Sequence, residues 1–127
     1  MHILLIEPSR LLAEQYCRFF ESRGHSIAWR EDAQGGVIAA DEQKPDVVIV
    51  ELLLAGHSGV EFLYEFRSYA DWLEVPALLL SNVRREAAKI ASETLSRLGV
   101  STYLYKPETS LRKLELSVNK AVAESRV

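Results

Sequence analysis

The chain has little with which to staple or anchor itself. A single cysteine, Cys17, excludes an internal disulfide framework, and its position on an apolar helical stripe leaves it to pack as a small hydrophobe. Basic charge is not in excess: 15 Lys and Arg stand against 18 Asp and Glu, a formal charge of −3, so the balance does not favour a nucleic-acid partner. Long apolar runs are missing too. Glu7-Pro8 interrupts the first one after Ile6, which argues against a signal peptide or membrane span and points to a cytoplasmic protein. His2, His25 and His57 are isolated, without metal-ligand spacing, and are read as surface or loop residues. The turn Glu7-Pro8-Ser9-Arg10 lacks the glycines that let a backbone close on phosphates, which argues against a nucleotide or flavin binder and leaves no cofactor implied. With no repeat, linker or low-complexity segment, residues 1–127 read as one domain large enough for its own core.

What is present is organised around Val47-Val48-Ile49-Val50-Glu51. Four consecutive β-branched apolar residues without alternation describe a strand covered on both faces, hence a central strand of a parallel sheet. In open parallel sheets function gathers at the carboxyl ends of strands, and there the chain carries a carboxylate, Glu51. Ser58-Gly59-Val60-Glu61 then has the form of a capping box, starting a helix at Gly59 with Val60, Leu63, Phe66 and Tyr69 on its apolar side. Ile3–Ile6 is a second doubly covered strand, followed by a helix carrying Leu11, Leu12, Tyr16, Phe19 and Phe20 and closed by Gly24. Ser26–Trp29 suits an edge strand, and Ala33–Glu42 a helix weakened by about 1 kcal/mol for each of Gly35 and Gly36. A strand over Pro76–Leu80 ends at Ser81-Asn82. A fourth helix is expected through Ala87, Ile90, Ala91, Thr94, Leu95 and Leu98, opened by Arg84-Arg85 and stopped at Gly99. Thr102–Tyr105 makes the last strand, and Leu111, Leu114, Val118, Ala121 and Val122 line the last helix. Of Tyr64, Tyr69 and Trp72, at least two are expected in the core. Five strands alternating with five helices give an α/β class: a doubly wound (βα)5 three-layer sandwich on a parallel five-stranded sheet.

The order and spacing of Pro45–Glu51, Gly59, Val75-Pro76, Ser81 and Tyr103-Leu104-Tyr105-Lys106-Pro107 resemble a response-regulator receiver domain, the flavodoxin-like phosphoacceptor module of two-component signalling. The likeness runs from Ile3 to about Val122 and implies strand order 2-1-3-4-5. It also implies a pocket at the ends of strands one, three and five, a Lys106-Pro107 corner with a cis peptide, and a switch pair in Ser81 and Tyr103. Two positions depart from the family pattern. Where receivers keep a second acid for Mg²⁺ stands Pro8, and where they keep the phosphoaccepting aspartate stands Glu51. Mg²⁺ demands near-octahedral oxygen ligation, so a pocket of Glu7, Pro8 and Glu51 should hold it weakly, and no metal ligand is assigned. The added methylene displaces the attacking oxygen by about 1.5 Å, a large error for in-line transfer.

The residues leave several roles open. Glu51 and Lys106 suit a partly buried ion pair; Glu7 is a pocket acid or a second partner for Lys106; Ser81 is a switch hydroxyl or a helix N-cap; Tyr103 is a switch or a packing aromatic. The resulting expectation is a pseudo-receiver rather than an enzyme. It would bind a protein partner or itself through the fourth helix, fifth strand and fifth helix, with Glu51 as a permanent and imperfect stand-in for a phosphoryl group. The alternative is a conventional phosphorelay receiver, accepting from a histidine kinase with weak Mg²⁺ dependence.

Overall fold

The computed structural model describes residues 1–125, and the alternation read from the sequence becomes a five-stranded parallel sheet with helices on both faces. In chain order the elements are β1 (His2–Ile6), α1 (Arg10–Ser22), β2 (Ser26–Arg30), α2 (Ala33–Glu42), β3 (Val47–Val50), α3 (Gly59–Arg67), β4 (Ala77–Ser81), α4 (Ser92–Arg97), β5 (Val100–Tyr105) and α5 (Leu111–Ser125). The strands lie in the order β2-β1-β3-β4-β5, all parallel.

The continuous apolar runs follow from that layering. Leu4, Ile6, Val48, Val50 and Leu79 point into a core shared with α2, α3 and α4, while Ile3, Leu5, Val47, Ile49, Leu78 and Leu80 point into a second core with α1 and α5. Successive residues face opposite sides, so a strand covered twice must be apolar at every position. Cys17 packs beside the second core, and burial raises its thiol pKa. Among the described residues no helix is long and apolar enough to cross a membrane.

Caps place the helices. Ser9 accepts from the Leu12 N–H at 3.3 Å, Asp32 from Gly35 at 2.7 Å, and Ser58 from Glu61 at 3.1 Å. Only half of the expected box at Ser58 forms, because the Glu61 carboxylate turns to the His57 ring at 3.3 Å. Gly36 lies where a Cβ would sit 2.5 Å from the Ile6 side chain, so the glycine that weakens α2 as a helix also lets it approach the sheet.

The structure departs from the sequence reading in further places. The fourth helix is α-helical only over Ser92–Arg97: Ala87 and Ala88 turn back onto the Arg84 carbonyl, and Lys89 takes a left-handed backbone at φ 55°. That conformation costs a non-glycine residue about 1–2 kcal/mol and is offset by Ile90 packing against the core. Arg84 and Arg85 consequently lie on a loop and open no helix. The loop after Glu51 contains a small antiparallel hairpin, Leu53–Leu54 against His57–Ser58, turning at Gly56 with φ +72°. Among the three aromatics only Trp72 is buried, stacked on Phe66 at 4.8 Å, while Tyr64 and Tyr69 are exposed. The Lys106–Pro107 peptide is trans, as a loop proline ordinarily is and as the residues alone lead one to expect, rather than the cis form that the family resemblance implies.

Candidate functional site

Parallel pairing of β1, β3 and β5 within one sheet brings the residues just after each strand to a common edge. Glu7 follows β1, Glu51 follows β3, and Lys106 follows β5. The Lys106 Nζ donates to Glu51 Oε1 at 2.6 Å and lies 2.6 Å from Glu7 Oε1. All three side chains are nearly sealed from solvent, at 8% exposed for Lys106, 3% for Glu7 and 7% for Glu51. Of the two roles left open for Glu7, the geometry bears on one: it is a second partner of Lys106.

The second oxygen of each carboxylate is taken as well. Glu7 Oε2 accepts from the Ser9 N–H at 2.9 Å, and Glu51 Oε2 from the Leu53 N–H at 3.0 Å. Every carboxylate oxygen of the pair therefore has a donor, as buried charge requires. Burial by itself would lower the Lys106 pKa, but hydrogen bonds and charge from Glu51 and Glu7 outweigh it, and the ammonium is held above its ordinary value. Two carboxylates against one ammonium leave the cluster with one net negative charge.

The loop after Glu51 is positioned by Gly59. Its N–H donates to the Leu52 carbonyl at 2.7 Å, and a Cβ at this position would strike the Glu51 carbonyl oxygen. No larger residue fits between helix α3 and the acidic strand end. Pro8, next to Glu7 in the chain, is exposed and has neither a carboxylate nor an N–H to offer.

Ser81 is wholly buried at the end of β4, and its Oγ accepts from the Val83 N–H at 3.2 Å, forming a turn rather than capping a helix. Tyr103 is half-buried against the core, and its hydroxyl donates to the Val83 carbonyl at 2.6 Å. Burial raises its phenol pKa, with the Ser81 hydroxyl opposing. The two side chains thus meet at one residue, Val83, from its two backbone groups. Asn82 is exposed. Arg84 lies over the Tyr105 ring at 4.4 Å and near Glu108 at 3.5 Å; Arg85 lies over Tyr103 at 6.0 Å.

Sequence reasoning missed two neighbours of the cluster. Trp29, read only as part of an edge strand, donates its indole N–H to the Glu7 carbonyl at 2.8 Å. Tyr16, read as a core residue of α1, is buried within reach of the charges on Lys106, Glu7 and Glu51; burial raises its pKa, Lys106 opposing. Neither carries a local signal, since only the crossover connections bring β2 and α1 beside the end of β1. Trp72, by contrast, follows the C-terminal end of α3, where it stacks on Phe66.

A family model for the response regulator receiver domain matches residues 3–119. Protein PilH of Pseudomonas aeruginosa is 26% identical over 115 residues, covering 88% of this chain and 93% of PilH. The KDP operon transcriptional regulatory protein KdpE of Escherichia coli is 30% identical over 106 residues, which are 84% of this chain but 44% of KdpE, so the chain spans less than half of that relative. A sensor protein from Polaromonas sp. JS666 has the same fold, with a TM-score of 0.86 at 22% identity over 98% of this chain and 97% of that one.

Proposed function

Since the chain belongs to the response regulator receiver domain family, and so to signalling, we propose that it is a receiver whose acceptor pocket is closed by its own charges and which acts by binding protein without being phosphorylated. The observation that carries this reading is the Lys106 ammonium held 2.6 Å from both Glu7 and Glu51, with the remaining carboxylate oxygens on the N–H groups of Ser9 and Leu53. An oxygen that accepts a charge-assisted hydrogen bond is a poorer nucleophile, and both oxygens of Glu51 accept one.

The divalent cation on which family members rely does not suit this donor set. Mg²⁺ needs oxygen ligands at near-octahedral positions, whereas the Pro8 side chain supplies none and each glutamate oxygen would have to serve the cation beside a donor already in place, one of them the Lys106 ammonium. Glu51 bound to Lys106 takes over the contact that a phosphoryl oxygen would make, and Tyr103, held against the core by Val83, supports a switch kept in one position. The readable surface is α4, β5 and α5, with a protein partner or a second copy as ligand and a histidine kinase as a further candidate. On this reading residues 1–127 are a single cytoplasmic signalling unit that binds neither nucleic acid nor membrane and catalyses nothing.

The test is incubation with acetyl phosphate and MgCl₂ followed by intact-mass measurement. No adduct is expected; a stoichiometric gain of about 80 Da, one phosphoryl group, that disappears in Glu51→Ala would establish the conventional phosphorelay reading instead. That second reading draws its support from the retained Ser81, Tyr103 and Lys106.

A further inference from the structure

We infer that the groove between α2 and α3 receives the outer face of α5 from a second copy of the chain, so that copies associate head to tail. The groove, about 570 Å³, is lined by Val37, Ile38, His57, Glu61, Phe62 and Glu65 among others. Helix α2 is unusual in how it spends its bulk. Its small residues, Gly36, Ala39 and Ala40, face the core, while Val37 lines the groove and Ile38, 52% exposed, stands over it. A helix that is apolar on its outer side as well as its inner side has an uncovered surface. The other wall is acidic. Among the described residues the Glu61 carboxylate meets only the His57 ring, and Glu65 takes part in no ion pair.

The complementary surface is on the same chain. Arg112, Leu116 and Lys120 recur at four-residue spacing on α5 and are all exposed, giving one stripe with Leu116, 59% exposed, between two cations. Arg112 forms no ion pair among the described residues, and the contact of Lys120 with Glu124 is 4.0 Å at the exposed surface. Leu116 against Ile38 and Val37, with Arg112 and Lys120 toward Glu61 and Glu65, satisfies both the apolar and the charged parts of each surface. Groove and stripe belong to opposite faces of the sheet, since α2 and α3 pack on one core and α5 on the other. One pair of copies therefore leaves a groove and a stripe unused, and the contact repeats. This extends the binding role given to α5 above and does not depend on the pocket being closed.

Sedimentation velocity of the whole chain across a concentration series tests it. The expected result is a weight-average coefficient that keeps rising past that of a dimer and falls when salt is raised about tenfold, because exposed charges are screened. The double variants Glu61→Lys/Glu65→Lys and Arg112→Glu/Lys120→Glu should each be monomeric, and mixing them in equal amounts should restore association, since every contact again joins opposite charges. Leu116→Asp, a surface change, should abolish association with an unchanged melting temperature. A wild-type chain that stays monomeric, a plateau at the dimer, or a mixture that fails to associate although both variants melt normally overturns the inference. So would association that the reversals leave untouched.

Discussion

At the scale of single residues, Lys106 is the hinge of the acidic pocket. Replacing it by Met, close in volume, leaves Glu7 and Glu51 facing each other in a nearly sealed site. Removing one member of a buried ion cluster typically costs about 3–5 kcal/mol, and a loss of that size is expected by urea denaturation at pH 7. The direction of the Lys106 shift gives a second expectation. A lysine whose pKa is raised by folding stabilises fully below its unfolded value, near 10.4, and loses that contribution as pH climbs through the higher folded value. Melting temperature followed from pH 9 upward should thus show an alkaline decline in the wild type that is shallower in Lys106→Met, where the Tyr16 and Tyr103 phenols and the Cys17 thiol, also raised by folding, still contribute. Glu51 and Lys106 were both legible in the sequence as strand-end residues. Glu7 is legible there too as a second partner for the lysine, whereas the backbone donors that take the remaining carboxylate oxygens, Ser9 and Leu53, are a matter of ångströms that spacing does not specify.

Elements were legible wherever burial is unambiguous. Val47–Val50 and Ile3–Ile6 are apolar at every position and could only be doubly covered strands; the caps Ser9, Asp32 and Ser58 mark helix starts by chemistry. The fourth helix was misjudged because Ala87, Ile90 and Ala91 fit a helical stripe equally well when Ile90 merely drops into the core from a loop. The hairpin after Glu51 leaves no mark in the sequence, since Leu53-Leu54 and His57-Ser58 are too short to show a period. Gly59 ties this loop to the pocket, and its role is steric. Gly59→Ala should force the Glu51 carbonyl or α3 to shift, costing about 1–3 kcal/mol as overpacking does. Thermal melts monitored by far-UV circular dichroism would measure it, and a loss under 0.5 kcal/mol would contradict the close approach.

For the whole molecule, topology followed from alternation and handedness alone, and the family pattern supplied the strand order that the structure reproduces. Local pattern could not foresee which distant residues the crossovers would set around the strand ends, hence the late appearance of Trp29 and Tyr16. The same enclosure bears on covalent labelling. The chain has five lysines, and Lys44, Lys89, Lys113 and Lys120 are all exposed, whereas the Lys106 amine is screened from reagents and its lone pair is protonated and engaged. In a timed acetylation read by peptide mass spectrometry, Lys106 should be the last amine modified by a wide margin. Its rate of acylation would then serve as a clock for how often the pocket opens.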